Sequence, residues 1–418
     1  MHIKRDSYVN ELLKAKDNGF IKVITGIRRS GKSYLLNTLF YNALLDSGID
    51  AGHIIYFSFE NIDDLARIDQ EDNYFDNKKI EYRPFLEFIK SKIIDNEKYY
   101  ILLDEIQHLE GFDRVLSSLL TNKQLDIYVT GSNSKFLSSD IITEFAGRGY
   151  EIHVYPLSFK EYYSYKKGDE INALNEYMSY GGLPEVVLAK DEEVKIKLLK
   201  NYLNEIYLKD IIKRYNLKQE EGIRELLFVL ASSLGSLVNP SRIRNTFKSA
   251  TTNNLSEVII KKYIGILEEA FMISTVLRYD VKGRKYIGTP FKIYFEDVGI
   301  RNAILGFRQV EYTHLIENII YYDLKKKGFN VDVGSVETRE KDVRKYYEVD
   351  FVANKGSLRR YYQAAYSIPN EEKVEQELKS LKLINDSFEK FIISFERIPS
   401  YTNIYGVQFI DIFKFLNE

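Results

Sequence analysis

A short loop that contains two glycines offers the clearest chemistry in this sequence. Residues 26–33 read Gly-Ile-Arg-Arg-Ser-Gly-Lys-Ser, which fits the pattern G-x-x-x-x-G-K-[ST]. The glycines let backbone N–H groups wrap a phosphate, Lys32 brings a positive charge to the β- and γ-phosphates, and Ser33 offers a hydroxyl to Mg²⁺. The sequence therefore predicts an ATP or ADP site formed by Gly26, Arg28, Arg29, Ser30, Gly31, Lys32, Ser33 and Tyr34.

The segments on either side of this loop decide between a phosphate site and a chance glycine-rich turn. Lys22-Val-Ile-Thr before the loop is typical of a buried strand, and Tyr34-Leu-Leu-Asn after it is typical of a helix. A strand, a loop and a helix in this order point the helix N-terminus at the phosphate. The context therefore favours a nucleotide site.

An acidic pair after a second buried strand would supply the other half of the site. Tyr99-Tyr-Ile-Leu-Leu leads directly into Asp104 and Glu105. Asp104 is predicted to hold Mg²⁺ through water together with Ser33, and Glu105 is predicted to polarise the attacking water. Such a pair could instead cap the next helix, but the phosphate-binding loop favours the catalytic interpretation. Hydrolysis of ATP is therefore expected in addition to binding.

A third strand, Asp126-Ile-Tyr-Val-Thr, ends in a polar turn that contains Ser132 and Asn133. In this position Ser132 is predicted to contact the nucleotide, and Asn133 is predicted to sense the γ-phosphate during catalysis. Polar residues at the end of a strand are also ordinary turn formers, and this alternative stays open.

The elements that must hold these residues alternate between strand and helix patterns up to about residue 155. Five near-continuous apolar runs, at 21–25, 53–59, 99–103, 126–131 and 150–155, predict a parallel sheet with helices on both faces. Helical patterns follow, then three short helices with a hairpin typical of a winged helix, then alternating strands and helices. The predicted domains are 1–155, 156–216 (a helical lid), 217–285 and 286–418.

Composition narrows the class of protein. The 418 residues are 44% hydrophobic and 29% charged with a net charge of −2, so DNA binding would need a local basic face. Zero cysteines exclude thiolate metal sites, and the five histidines show no metal-ligand spacing. The N-terminus lacks a signal-peptide pattern and the longest apolar runs are strand-sized, which predicts a cytoplasmic protein with no membrane partner.

Several motifs along the chain resemble those of one protein family. Besides the loop they are Leu-Leu-Asp-Glu-Ile-Gln, Thr-Gly-Ser-Asn-Ser, Ala-Gly-Arg-Gly at 146–149, Pro-Leu-Ser-Phe at 156–159 and Gly-Gly-Leu-Pro-Glu at 181–185. Together they resemble the archaeal and bacterial AAA-type ATPases that carry an AAA_14 ATPase domain and a C-terminal DUF4143 domain. This resemblance implies an α/β fold with a P-loop NTPase core of the AAA+ type and parallel strands in the order 5-1-4-3-2.

The same resemblance implies roles for three further positions. Arg148 resembles the AAA+ arginine that reaches the γ-phosphate of an adjacent subunit, which would make it catalytic in a homo-oligomer. Pro184, with Gly182, resembles a lid turn that approaches the nucleotide, and Arg5 is expected near the base. A surface arginine at 148 and a plain turn between helices at 182–184 are the simpler interpretations.

The winged-helix segment carries a cluster of basic residues. A recognition helix at 257–269 would enter a DNA groove while a basic hairpin contacts phosphates. Three glutamates on the same helix weaken this prediction, and many winged helices bind proteins, so a protein partner is the alternative. The basic residues are Arg242, Arg244, Lys248, Lys261, Lys262, Arg278, Lys282, Arg284 and Lys285.

Polar residues of the last domain follow the order of a restriction-endonuclease-like core. Glu317 lies on a predicted helix, Asp350 on a strand and Gln363 on the next strand. Such nucleases hold Mg²⁺ with acidic residues and use a lysine two positions after the second strand acid. Here that tripeptide is Gln363-Ala364-Ala365, so we expect a nuclease-like α/β fold that serves as a binding or scaffolding module.

Three functions are consistent with these features. The leading hypothesis is an AAA+ protein that hydrolyses ATP and couples its nucleotide state to a macromolecular partner, with DNA as one candidate. The second is a regulatory switch, similar to STAND proteins, that holds nucleotide with little turnover. The third, an ATP-gated nuclease, is disfavoured because the expected lysine is missing.

Overall fold

The computed structural model of the chain describes residues 3–75, 78–131, 147–218, 220–250, 255–308, 311–340, 343–403 and 405–418. The chain divides into two compact units. The N-terminal unit comprises Met1–Pro156 and Glu269–Phe271, and the C-terminal unit comprises Leu157–Glu268 and Met272–Glu418. Within these described ranges, no helix combines the length and apolar character that crossing a membrane requires.

A parallel sheet of five strands forms the centre of the N-terminal unit. The strands follow the order β2-β3-β4-β1-β5 and every pairing is parallel, so the predicted order is confirmed. The five predicted runs correspond to the five strands, with shifts of one or two residues at their ends. The strands are β1 (Ile21–Thr25), β2 (Ile54–Ser58), β3 (Tyr99–Asp104), β4 (Leu125–Thr130) and β5 (Gly149–His153).

Helices cover both faces of this sheet, which explains the continuous apolar runs of its strands. Along β3, Tyr99, Ile101 and Leu103 pack into one buried cluster. Tyr100 and Leu102 of the same strand pack into another, so both faces of β3 must be apolar. The helices and helical turns are Asp6–Lys14, Lys32–Tyr34, Leu35–Phe40 (a π-helical turn), Tyr41–Asp46, Ala51–His53, Ile62–Ala66, Glu71–Phe75, Tyr82–Lys92, Ile106–His108 and Phe112–Leu120.

Helices open the C-terminal unit, and a mixed sheet of eight strands in the order β12-β13-β11-β10-β9-β8-β6-β7 follows. The strands are β6 (Ile273–Asp280), β7 (Lys285–Phe295), β8 (Asn330–Glu340), β9 (Val343–Lys355), β10 (Leu358–Ala365), β11 (Glu389–Ser394), β12 (Tyr401–Thr402) and β13 (Val407–Asp411). The helices are Phe159–Lys166, Glu170–Tyr180, Pro184–Leu188, Glu192–Asn201, Tyr202–Leu208 (π-helical), Lys209–Tyr215, Glu220–Ser232, Pro240–Ala250, Glu257–Glu269, Val298–Ile304, Tyr312–Lys326, Glu371–Lys382 and Ile412–Asn417.

The segment 217–285 contains three helices and a hairpin, but the hairpin belongs to the large sheet. β6 and β7 are antiparallel, and Val238 forms an antiparallel bridge to Phe291 of β7. β6 also pairs in parallel with β8, where Arg278 lies opposite Val333. The predicted boundary at residue 285 therefore falls inside one continuous sheet, because pairing between distant strands leaves no local signal in a sequence. The identity of this segment as a winged helix stays a prediction.

Candidate functional site

The first residue of the phosphate-binding loop must be a glycine for steric reasons. Gly26 has a φ of 135°, and a Cβ atom at this position would lie 2.3 Å from the carbonyl oxygen of Val154. Gly31 has a φ of 95° and directly precedes the helical residue Lys32. Both glycines therefore adopt backbone conformations that other residues rarely adopt.

Lys32 is buried within the loop to which it belongs. Its Nζ donates hydrogen bonds to the carbonyl oxygens of Gly26 at 2.9 Å and Ile27 at 3.1 Å. These two bonds hold the ammonium group inside the curve of the loop. A positive charge at this place is suited to bind a phosphate group that backbone N–H groups also contact.

Asp104, at the end of β3, connects the loop to the neighbouring strands. Its carboxylate is hydrogen-bonded to the side chain of Ser33, and its Oδ1 accepts a hydrogen bond from Oγ1 of Thr130 at 2.5 Å. Burial raises the pKa of Asp104 to about 6; the hydrogen bonds from Thr130 and Ser33 and the charge of Lys32 oppose this shift, whereas the charge of Glu105 adds to it. Ser33 and Asp104, the two residues predicted to hold Mg²⁺, are thus in contact. A bound cation would favour the ionised form of the Asp104 carboxyl group.

Glu105 is fixed next to Asp104 by its backbone and by a neighbouring side chain. Its φ is 52°, a left-handed conformation that costs a non-glycine residue roughly 1–2 kcal/mol. Its N–H donates to Oγ1 of Thr130 at 2.9 Å, and its Oε2 accepts a hydrogen bond from Nε2 of Gln107. Backbone strain of this kind is concentrated at functional sites, where surrounding contacts maintain it.

Thr130 is a site residue to which the sequence analysis assigned no role, although it begins the Thr-Gly-Ser-Asn-Ser motif. It is fully buried at the end of β4, where its hydroxyl donates to Asp104 and accepts from the N–H of Glu105. One hydroxyl thereby positions both acidic residues. The motif alone does not assign this threonine a contact, because β-branched residues are common at the ends of strands for packing reasons.

Replacing Thr130 with valine is expected to lower the free energy of unfolding by about 1–3 kcal/mol, because the buried carboxylate of Asp104 and the N–H of Glu105 lose their shared partner. Thr130→Ser keeps the hydroxyl and removes one methyl group, so its loss should be about 1 kcal/mol. Urea unfolding of the wild type and both variants measures the two values. A valine variant as stable as the serine variant would contradict the role of the hydroxyl.

The other predicted loop residues differ in their surroundings. Arg28 is half-buried and Arg29 is exposed. The pKa of Glu60 is lowered, first by its hydrogen bond with His108 and further by the positive charges of both arginines, whereas burial opposes this shift. The nucleotide contacts of Arg28, Arg29, Ser30 and Tyr34 stay predictions. Ser132 and Asn133 lie outside the described residues, and their roles also stay predictions.

Arg5 contacts the loop from the N-terminal helix. Its Nη1 donates to the carbonyl oxygen of Ser30 at 3.1 Å and its Nη2 to that of Tyr155 at 2.8 Å, while the guanidinium lies over the ring of Tyr8. The N–H of Tyr155 donates to the hydroxyl of Tyr8 at 3.2 Å. Arg5 and Tyr8 therefore tie the loop to the last residues of the N-terminal unit, and the described contacts of Arg5 give it a role in positioning the loop.

Arg148 lies at the opposite end of the sheet from the phosphate-binding loop. Its carbonyl oxygen accepts a hydrogen bond from the N–H of Ile21 at 3.0 Å, at the start of β1, whereas the loop follows Thr25 at the other end. A strand of this length spans roughly 16 Å, much more than an arginine side chain can reach. The predicted catalytic role of Arg148 therefore requires a neighbouring copy of the chain.

Pro184 begins the helix Pro184–Leu188 in the C-terminal unit. The turn before it is held within that unit, because the N–H of Gly182 donates to Oδ2 of Asp297 at 2.7 Å and its carbonyl accepts from the N–H of Leu157 at 2.8 Å. The Pro-Leu-Ser-Phe and Gly-Gly-Leu-Pro-Glu motifs thus meet for a structural reason. Contact between Pro184 and a nucleotide stays a prediction.

Two protein families match parts of this chain. The AAA domain family, AAA_14, matches residues 18–163, which contain the phosphate-binding loop, Asp104 and Glu105. A domain of unknown function, DUF8612, matches residues 171–311. The AAA_14 part of the expected architecture is therefore confirmed, whereas the DUF4143 identity is not shown.

Similar solved structures include two proteins of Aeropyrum pernix. The ORC1 protein in complex with DNA has a TM-score of 0.31 at 13% identity, covering 73% of this chain and 93% of that chain. The ORC2 protein has a TM-score of 0.33 at 14% identity, covering 65% and 86% respectively. TM-scores this low support no conclusion about the present chain.

Relatives by sequence cover nearly the whole chain. An uncharacterized protein of Methanocaldococcus jannaschii is 28% identical over 379 residues, which are 88% of this chain and 79% of the relative. An uncharacterized protein of Haemophilus influenzae is 35% identical over 420 residues, which are 99% of this chain and 98% of the relative. The chain therefore belongs to the same family as the Haemophilus influenzae protein and carries an AAA domain.

Proposed function

We propose that this protein binds ATP and hydrolyses it in the presence of Mg²⁺. One observation supports the proposal above the others. The hydroxyl of Thr130 joins Asp104 to the backbone of Glu105, and Asp104 in turn contacts Ser33 of the phosphate-binding loop. The groups needed for phosphate binding and for activating water are thus held together at the carboxyl ends of β1, β3 and β4.

Each residue has a defined task in this proposal. Lys32 and the loop N–H groups bind the β- and γ-phosphates. Ser33 and Asp104 offer oxygen ligands of the type that Mg²⁺ prefers, and they already touch each other, so they fit this ion. Mg²⁺ bound there would neutralise charge on the phosphates. Glu105 orients the attacking water and accepts its proton.

The position of Arg148 supports a second candidate function, a nucleotide switch with little turnover. An isolated chain lacks the positive charge that an arginine from a neighbour would bring to the transferring phosphate, and such an arginine contributes about 10³–10⁵-fold in rate. A chain that never receives an arginine from a neighbour would hold ATP and hydrolyse it slowly at every protein concentration. A macromolecular partner would control the output of such a switch.

Concentration dependence separates the two candidates. If Arg148 acts on a neighbouring nucleotide, phosphate release per chain rises with protein concentration. Arg148→Ala and Glu105→Gln should each be inactive alone and partly active when mixed, because one supplies the glutamate and the other the arginine. A rate per chain that is low at every concentration favours the switch, and full activity of Arg148→Ala would remove its catalytic role.

Exposed basic residues favour DNA as the macromolecular partner. Lys261 and Lys262 are exposed on the helix Glu257–Glu269, next to Val258, which is 77% exposed. Three helices, the bridge at Val238 and the antiparallel pair β6–β7 follow the order of elements in a winged helix, whose third helix enters a DNA groove. Docking of a protein on the same helix is the alternative.

Gel shifts with duplex DNA over a salt series test this partner. If both lysines contact phosphates, Lys261→Ala/Lys262→Ala reduces the slope of log K against log salt by roughly 1.8. Lys90→Ala, an exposed lysine of the N-terminal unit, is the matched control and should leave the slope unchanged. If the double substitution leaves the slope unchanged, or if the wild type does not bind DNA at low salt, a protein is the better candidate for the partner.

A further inference from the structure

A buried lysine lies among three carboxylates in the C-terminal unit. Nζ of Lys292 lies 2.7 Å from Oε1 of Glu317, 2.6 Å from Oε1 of Glu348 and 3.8 Å from Oδ1 of Asp350. The side chain of Lys292 is 3% exposed, and those of Glu317 and Asp350 are 7% and 10% exposed. Charges are buried at this depth only when they are paired, and here one ammonium group meets three acidic groups.

Three elements that are distant in sequence bring these groups together. β7 supplies Lys292, and the helix Tyr312–Lys326 supplies Glu317. Glu348 and Asp350 are two residues apart on β9, so their side chains lie on the same face of the strand. The order of residues in the sequence predicted that Glu317 and Asp350 belong to one site, but only the fold shows that Lys292 and Glu348 join them.

Further hydrogen bonds complete the cluster. Tyr294, two residues after Lys292 on β7, donates its hydroxyl hydrogen to Oε1 of Glu317. Oδ2 of Asp350 accepts a hydrogen bond from the N–H of Ala364 at 2.8 Å. The carboxylates that approach Lys292 are thus held by additional donors, which keeps them directed at the ammonium group.

The acidic groups around Lys292 also act on its protonation. Burial alone would lower the pKa of Lys292, but the negative charges of Glu317, Asp350 and Glu348 outweigh burial and raise it. Burial raises the pKa of Asp350 well above its usual range, and the charge of Glu317 adds to this effect. The surrounding acidic groups therefore favour the positively charged form of Lys292.

Space and repulsion exclude a metal ion while Lys292 is present. Glu317 and Asp350 occupy the helix and strand positions predicted for metal-binding acids of a nuclease-like core. An ion such as Mg²⁺ bonds to oxygen at about 2.0–2.1 Å, so it would occupy the volume that Nζ fills. Within the described ranges, no group of three or more histidine, cysteine, aspartate or glutamate side chains is arranged to hold a metal ion.

We propose that Lys292 is a built-in cation that takes the place of a divalent metal ion in this carboxylate cluster, so that the C-terminal unit keeps a nuclease-like arrangement without metal-dependent cleavage. The ammonium group links β7, β9 and the helix Tyr312–Lys326. It cannot activate water as a metal ion does, because it offers no open coordination position. The cluster therefore stabilises the C-terminal unit, which would act by binding a partner at its surface and not by cleaving DNA.

Binding of Mn²⁺, measured by calorimetric titration of the full chain without nucleotide, tests this proposal. Wild type and Asp350→Asn should give the same titration, because the wild-type cluster takes no metal ion. Lys292→Ala should gain about one Mn²⁺ per chain, because the three acidic side chains can then move into the vacated position and carboxylates suit this ion. Lys292→Ala/Asp350→Asn should lose that ion again, and the matched control Lys292→Arg, which keeps the positive charge, should gain none.

Thermal melting gives an independent readout of the same site. Mn²⁺ should raise the Tm of Lys292→Ala by several degrees and leave that of the wild type unchanged. The proposal is overturned if the wild type binds an Mn²⁺ that Asp350→Asn loses, if it cleaves DNA in a reaction that Asp350→Asn abolishes, or if folded Lys292→Ala binds no additional Mn²⁺. If Lys292→Ala does not fold, Lys292→Met replaces it in the Mn²⁺ titration. The comparison of wild type with Asp350→Asn needs neither variant and still shows whether the wild-type cluster binds Mn²⁺.

Discussion

Replacing Lys32 with alanine is expected to weaken ATP binding by roughly 10- to 150-fold. Hydrogen bonds from a charged donor contribute roughly 1.5–3 kcal/mol, and about 2.7 kcal/mol corresponds to 100-fold in affinity. The ammonium group already lies inside the loop, held by the carbonyls of Gly26 and Ile27, so little reorganisation offsets this loss. Calorimetric titration with ATP and Mg²⁺ measures the change.

Lys90→Ala is the matched control for this substitution, because it removes the same charge from an exposed position of the same unit. It should bind ATP as the wild type does. Thermal melting must show that Lys32→Ala is folded, since the substitution also leaves two loop carbonyls without their donor. A folded Lys32→Ala protein with wild-type affinity for ATP would contradict the assignment of the loop.

The variant Glu105→Gln is expected to lower kcat by about 10²–10⁴-fold and to leave ATP affinity close to that of the wild type. Glutamine has nearly the same size, can still accept the hydrogen bond from Gln107, and keeps the backbone bond to Thr130. It cannot take a proton from water. Steady-state phosphate release and ATP titration measure the two quantities separately.

Glu110→Gln makes the same chemical change at an exposed position nearby and should retain full activity. The two variants together distinguish the loss of a general base from a general loss of negative charge. If Glu105→Gln lost ATP binding as well as hydrolysis, Glu105 would shape the site rather than activate water. If it kept full activity, another residue would have to be the base.

The N-terminal unit could be predicted from the sequence because its signals are local. Continuous apolar runs marked β1 and β3, since strands covered on both faces leave no room for alternation. The loop after β1 and the acids after β3 then had to lie near each other, because parallel strands present their carboxyl ends at one edge of the sheet. Contact between Ser33 and Asp104 confirms this expectation.

The features that the sequence did not reveal depend on contacts between distant segments. Thr130 resembles an ordinary strand residue in the sequence, and its contacts with Asp104 and Glu105 depend on the pairing of β4 with β3. In the sequence, Lys292 is an isolated charge in an apolar run. Its acidic partners come from β9 and a helix, which only the fold brings beside β7. The predicted boundary at residue 285 falls inside one sheet for the same reason, because the parallel pairing of β6 with β8 links segments that lie about fifty residues apart.

The sequence could select Arg148 as a candidate catalytic residue but could not show where it lies relative to the phosphate-binding loop. The resemblance to AAA-type ATPases selected this arginine, but only the register of β5 against β1 shows that it lies far from the phosphate-binding loop of its own chain. That placement changes what must be measured. Its predicted role requires an assembly. Arg148→Ala alone can show that the arginine is needed, and mixed variants can show that it acts on a neighbouring chain.

The most direct test of the central claim is release of inorganic phosphate from ATP by the purified wild-type chain, measured over many turnovers with Mg²⁺ and again with EDTA. Bound Mg²⁺ at Ser33 and Asp104, and water activation by Glu105, predict continuous release with Mg²⁺ and none with EDTA, and Glu105→Gln should behave as the wild type does in EDTA. No release with Mg²⁺ at any protein concentration, with or without DNA, would contradict the claim that this protein is an ATPase.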